Sequence, residues 1–263
     1  MRILCAVLLL TSCSTVAFTG RKRVLLFNND EITALSDQSY VELMDTVRLS
    51  TDVRGTQMVV QVGQRLTSAL EVYLRSVGQS SLLNGIRWEY KLVRSPEVNA
   101  FCMPNGKIVF YDGIMPYCST PDFVAVVMGH EIAHAIARHG NERMSQQAML
   151  NTAGALAREY VGVKSPRNQA LFNLAYSIGS EYGVMLPYSR KHELEADEIG
   201  LIIMAIAGYD IDQAPIFWQR MQAGNTYQPA EIFSTHPSDA RRIASIQQEI
   251  PKVKAFVKQL NKK

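Results

Sequence analysis

The segment His130-Glu131-Ile132-Ala133-His134 sets two histidines one helical turn apart, with a glutamate beside the first. Residues at i and i+4 share one helix face. Both imidazoles can therefore converge on one tetrahedral cation, at ~2.0–2.1 Å per Zn–N bond. A glutamate in that place can reach a metal-bound water without ligating the metal itself. The chemistry this implies is metal-assisted hydrolysis. With five histidines in 263 residues, such a spacing seldom arises by accident. The flanks agree: Phe123, Val124, Val126, Val127, Ala135, Ile136 and Ala137 make the helix apolar over most of its surface, hence central. Burying two histidines and a carboxylate without a role is costly.

A third protein ligand is needed, with the fourth position left to water. Candidates lie between Ser189 and Glu198. Glu193 and Asp197 are four apart and share a face, and Glu193 is the chosen ligand. Asp197, one turn on, can accept the free N–H of a metal-bound histidine, which orients the ring and raises its basicity. Glu195 points half a turn away and is expected to pair with Lys191 on the surface. His192 is the rival ligand, although it faces away from Asp197. Two histidines and one glutamate with an open position suit Zn2+, and ligand type alone leaves other divalent ions open.

These side chains need elements to hold them. Ser119-Thr120-Pro121-Asp122 offers a cap, a first-turn proline and an early acid, so a helix starts there. It is expected to run to about His139, with Gly140 as its stop and the His139 ring as a cationic cap on its last turn. Ser189 can cap the second metal helix. Upstream, residues 36–78 read as largely helical, with Val62, Leu66, Ala69, Leu70, Tyr73 and Val77 on one face. Ile86 to Val93 alternates as a strand does. Val98–Met103 and Ile108–Tyr111 flank Asn105-Gly106, the strongest short signal for an antiparallel hairpin. From Thr120 onward the chain reads as mainly helical. Residues 143–186, between the metal helices, would form either a lid or ordinary helix packing.

The amino terminus addresses the chain. Arg2 followed by a short apolar run ending Leu10-Thr11-Ser12-Cys13 reads as a signal peptide over residues 1–12, with Cys13 as the residue that takes a lipid. Residues 13–35 are then a lipidated tether and linker, with Arg21-Lys22-Arg23 solvated, and 36–263 form the folded domain. Cys102 and Cys118 remain, either bridged or as two separate buried thiols. No later stretch is long and apolar enough to span a membrane. A net charge of +3, from 27 basic and 24 acidic residues, does not argue for nucleic acid as a partner. The lysines at 252, 254, 258, 262 and 263 read as a solvated helix end.

Taken together, His130-Glu131-Ile132-Ala133-His134 with Glu193-Leu194-Glu195-Ala196-Asp197 resembles the M48 family of zinc metallopeptidases. Three further segments are similar to that family: Asn99-Ala100-Phe101 before a turn, Ser189-Arg190, and Ser234-Thr235-His236-Pro237 followed by Arg242-Ile243. The resemblance covers roughly residues 40–250. It implies an α+β fold, a mainly helical zincin-like (gluzincin) domain with a small antiparallel sheet beside the His130–His134 helix. The branch it looks like is the soluble, periplasm-facing one, similar also to the catalytic domain of the mitochondrial inner-membrane stress protease. The resemblance further implies one zinc per chain and an endopeptidase acting on misfolded or misassembled envelope proteins at the outer membrane, with Glu131 activating a zinc-bound water. The edge strand Asn99, Ala100 and Phe101 would pair with an extended substrate. His236 would donate to the oxyanion or plug the water site, and Arg242 would place it. The competing reading is a chaperone or assembly factor that keeps the metal fold without cutting. An aminopeptidase would need an amine-anchoring site that is not identifiable.

Overall fold

The computed structural model describes residues 13–160, 190–224, 240–260 and 262. Residues 1–12, read above as a signal peptide, Ser189 and His236 lie outside them, as do residues 161–189.

The segment read as a tether is folded. Strands β1 (Cys13–Thr15) and β2 (Lys22–Val24) pair antiparallel, with Ser14 opposite Arg23. The connecting turn closes on Val16, which is buried in the core, and uses Gly20 at φ 69°. Helix α1 (Asn29–Thr46) already begins inside the expected linker. Its start is a capping box: Asn28 Oδ1 accepts from the Glu31 amide, and Glu31 accepts from the Asn28 amide, both at 2.9 Å.

Helix α2 (Val53–Ser76) starts at Asp52, whose side chain accepts from the Gly55 amide. Its buried stripe is Val59, Val62, Leu66, Leu70 and Leu74. Val77, expected on that face, lies beyond the helix end and is exposed. Strands β3 (Glu89–Val93), β4 (Ala100–Cys102) and β5 (Lys107–Tyr111) form one sheet in the order β3-β5-β4. The predicted hairpin is β4–β5, antiparallel. The third strand adds in parallel, because the chain leaving Val93 crosses to the far side of β5 before it returns as β4. Residues 48–50 cover the outer edge of β3 through Ser50 N–H to Leu92 O and Arg94 N–H to Arg48 O. Among the described residues the sheet therefore has its free edge at β4.

Helix α3 (Pro121–Ile136) is central, with every residue from Phe123 to Ile136 buried. Thr120 caps it by accepting from the Phe123 amide at 3.2 Å. The helix does not stop at Gly140. It breaks at Arg138, a non-glycine residue at φ 51°, and α4 (His139–Tyr160) follows at once. A left-handed residue turns the chain sharply, so His139 swings back towards the helix it was expected to cap. Helix α5 (Arg190–Ile206) packs along α3, and α6 (Gln213–Gly224) and α7 (Ala240–Leu260) close the far side. Of the C-terminal lysines, Lys252, Lys254 and Lys258 belong to α7, where Lys254 meets Asp212 and Lys252 meets Glu249 on the surface. Cys102 and Cys118 are free thiols. Among the described residues no helix is long and apolar enough to cross a membrane.

Candidate metal centre

The crossing of α3 and α5 decides where the acids can reach. A Cβ on Gly200 would lie 3.0 Å from the His130 amide nitrogen, and one on Gly129 would lie 3.1 Å from the Gly200 carbonyl oxygen. Only two glycines allow backbones this close. Glu193 and Asp197, on the turns of α5 before Gly200, are thereby laid against His130 and His134.

The three ligand atoms converge. His130 Nε2 and His134 Nε2 are 3.0 Å apart, Glu193 Oε2 is 3.2 Å from the former, and Glu193 Oε1 is 3.4 Å from the latter. All three residues are buried, at 1–2 % exposure. Four donors at zinc bond lengths sit about 3.4 Å from one another around a tetrahedron. The triangle formed by these three has edges of that size, and it is made of two imidazoles and a carboxylate. The donor set therefore fits a zinc ion, and the triad is positioned to hold one.

Each histidine is fixed from behind. Asp197 Oδ1 accepts from His130 Nδ1 at 2.9 Å, which keeps the proton on Nδ1 and turns the Nε2 lone pair inward. Arg242 holds that aspartate with Nε at 2.6 Å from Oδ2 and Nη2 at 2.9 Å from Oδ1. Its Nη1 lies 3.0 Å from Glu193 Oε2, and its plane stacks on Trp218 at 4.1 Å. The guanidinium thus binds the ligand glutamate and the orienting aspartate. His236, which Arg242 was expected to place, lies outside the described residues. Burial pushes the Asp197 carboxyl up, but the Arg242 charge and hydrogen bonds outweigh it and hold it below the usual range.

His134 has a different support, which the sequence did not announce. Its Nδ1 lies 2.9 Å from His139 Nδ1, and His139 Nε2 lies 2.9 Å from Glu195 Oε2. His139 is fully buried, and burial pushes its pKa down to about 4. A neutral ring there donates to Glu195 and accepts from His134. His139 is consequently no helix cap, because the break at Arg138 carries it inward. Glu195 is no surface partner of Lys191 either. It is buried and bonded to His139, Thr19 and Arg21. Burial raises its pKa, and these hydrogen bonds bring it down to about 2. Polarity is inverted on this stretch of α5, where Leu194 is 42 % exposed while Glu195 is buried.

His192, the rival ligand, is not in the metal triangle. It turns to Glu142, with Nε2 3.2 Å from Oε2, and stacks on His139. Glu131 is buried one residue after His130, and its charge acts on both Cys102 in β4 and Arg242. Beside His134 a cleft of about 410 Å³ runs past Cys102, Met103, Pro104, Arg138 and Met144.

Residues 61–250 match the description Peptidase family M48. The chain belongs to this family. It is 30% identical over 243 residues to the mitochondrial metalloendopeptidase OMA1 of Schizosaccharomyces pombe, covering 92% of this chain and 67% of that protein. It is 30% identical over 258 residues to human metalloendopeptidase OMA1, mitochondrial, covering 95% and 48%. It is 27% identical over 230 residues to the beta-barrel assembly-enhancing protease of Escherichia coli, covering 86% and 45%. The chain thus spans about half to two thirds of these relatives' length. M48 metallopeptidases use zinc, in agreement with the His130–His134–Glu193 donor set.

Proposed function

We propose that this M48 member is a zinc-dependent endopeptidase that hydrolyses peptide bonds of misfolded or misassembled proteins in a bacterial cell envelope. The observation that carries the reading is the convergence of His130 Nε2, His134 Nε2 and the Glu193 carboxylate within 3.0–3.4 Å, beside Glu131 and an open sheet edge. A zinc ion held by His130, His134 and Glu193 would supply the positive charge that acidifies a water and polarises the scissile carbonyl. Glu131 takes the proton of that water on its carboxylate and returns it to the leaving amine. Asp197 and His139 keep both ligand rings in the tautomer that faces the centre.

The edge strand orders the substrate. Tyr111 N–H bonds Asn99 O, and Met103 N–H bonds Lys107 O, so Asn99, Phe101 and Met103 face β5. The main-chain groups of Ala100 and Cys102 then face outward, where an extended peptide can add as a further strand. Such pairing reads backbone more than side chains, which suits unfolded clients. His236 is the proposed oxyanion donor, or a plug when turned inward.

For location, Leu10-Thr11-Ser12-Cys13 supports a lipid on Cys13 and a periplasm-facing, membrane-held protein, with the outer membrane as the proposed site. Cys13→Ser should move the protein from the membrane fraction to the soluble one. The central test compares wild type with Glu131→Gln on unfolded casein at equal bound zinc. Loss of cleavage by two or more orders of magnitude supports the peptidase. Client binding without any cleavage by zinc-loaded wild type would favour a non-cleaving chaperone or assembly factor instead.

A further inference from the structure

The described hydrogen bonds lead outward from the metal triangle to a part of the chain with no place in the hydrolytic mechanism. From His134 they run to His139, from His139 to Glu195, and from Glu195 to Thr19 and Arg21 in the amino-terminal hairpin. Arg21 is held as a fork. Its Nε is 2.7 Å from Glu195 Oε2, and its Nη1 and Nη2 are each 2.7 Å from the two oxygens of Glu142. Arg23, 5 % exposed, donates to the carbonyl of Ala137 at the carboxyl end of α3, where a cation meets the negative end of the helix dipole. One hairpin thus grips both the end of the metal helix and the acid behind the second ligand.

We propose that Arg21, Glu195 and His139 are positioning residues for His134, and that docking of the amino-terminal hairpin sets how tightly the centre holds its metal. The physical reason is tautomeric. His134 can present its Nε2 lone pair only while its proton rests on Nδ1, and that proton needs an acceptor. His139 Nδ1 is an acceptor only while its own proton sits on Nε2, and the Glu195 carboxylate keeps it there. Arg21 and Thr19 keep that carboxylate aimed. Release of the hairpin frees Glu195 to rotate, and the order of protons behind His134 is lost. A partner carboxylate on one ligand is the usual arrangement around a metal. Here the second ligand is governed at two removes, by the residues just downstream of Cys13.

The inference rests on the metal site proposed above, and one titration separates the two. Zinc affinity of the full chain is measured by competition with a chromophoric chelator, and cobalt is substituted to read the ligand field. Wild type, Arg21→Ala, Arg21→Lys, His139→Leu and His139→Asn are compared, with the thermal midpoint of each metal-free protein as the control for folding. His139→Leu is expected to weaken zinc binding by roughly ten- to a hundredfold and to alter the cobalt absorption bands. His139→Asn, whose side-chain oxygen stands near the former Nδ1, should recover part of the loss. Arg21→Ala leaves Glu142 and Glu195 buried without their cation and should lower the metal-free midpoint, but it should weaken binding about tenfold beyond what that lower stability accounts for, and Arg21→Lys, a single point charge, should fall between. Wild-type affinity in both Arg21→Ala and His139→Leu overturns the relay while leaving the metallopeptidase reading intact. A loss that tracks the metal-free midpoint and is not relieved by Asn also overturns it. Failure of wild type itself to bind zinc takes down both.

Discussion

Gly129 and Gly200 meet where the two metal helices cross, and a side chain on Gly200 would press on the amide nitrogen of His130 at 3.0 Å. The contact is backbone to backbone, so no rotamer can relieve it. The distance between α3 and α5 is therefore set by two absent side chains, and the reach of Glu193 with it.

Gly200→Ala is expected to force that crossing apart. Overpacking of a tight core costs about 1–3 kcal/mol, or roughly 2–4 °C in Tm per kcal/mol for a chain of this size. Zinc affinity should fall as well, since Glu193 retreats from both rings. Calorimetry of metal-free and zinc-loaded protein reads both effects, and an unchanged Tm in the metal-free form would refute the account of the crossing.

Arg242→Met should be among the most destabilising single changes. It leaves the carboxylates of Asp197 and Glu193 buried without their cation, and breaking a buried pair from one side costs about 3–5 kcal/mol. Arg242→Lys should restore little, because a point charge cannot hold Asp197 by two bonds, reach Glu193 and stack on Trp218 together. Urea unfolding of the three proteins settles it; a lysine variant as stable as wild type contradicts the role given to the fork.

Acid should loosen the hairpin. Burial raises the Glu142 carboxyl, but hydrogen bonds from Arg21 and His192 outweigh it and bring the pKa to about 2, against an ordinary 4.5. A carboxyl depressed in the folded state adds stability above its unfolded pKa and gives it up as pH falls through the folded one. The wild-type advantage over Glu142→Gln should thus be full at neutral pH and disappear between about pH 4.5 and 2. Thermal midpoints of the two proteins across that range are the measurement, and a gap that stays constant down to pH 2 contradicts it.

Cys102→Pro probes the sheet edge. The amide of Cys102 faces away from β5, so proline removes a donor without breaking the β4–β5 ladder, as edge strands tolerate. One lost hydrogen bond of about 1 kcal/mol corresponds to roughly a fivefold fall in kcat/KM on an unfolded substrate, at unchanged zinc affinity. Unaltered cleavage would mean that clients do not pair with β4.

The triad was legible because its signal is local. His130 and His134 share one turn, and Glu193 and Asp197 share another. The hairpin around Asn105-Gly106 was legible for the same reason. What escaped was whatever depends on a break in regularity. His139 reads as a helix end as long as the helix is imagined straight, and only the left-handed backbone at Arg138 brings it to His134. Glu195 reads as exposed because a charged residue normally is, and its partners Thr19 and Arg21 lie far upstream. Arg21 and Arg23 read as solvated because nothing near them in the chain explains their burial.

The separation of those partners has a consequence for biogenesis. Arg21 and Glu195 are 174 positions apart, and contacts of such span form late, after the intervening polypeptide has been ordered. During folding the amino-terminal hairpin waits, its arginines without their acids, until α5 has packed. The hairpin's hold on the metal helix and on Glu195 is therefore among the last parts of the fold to close.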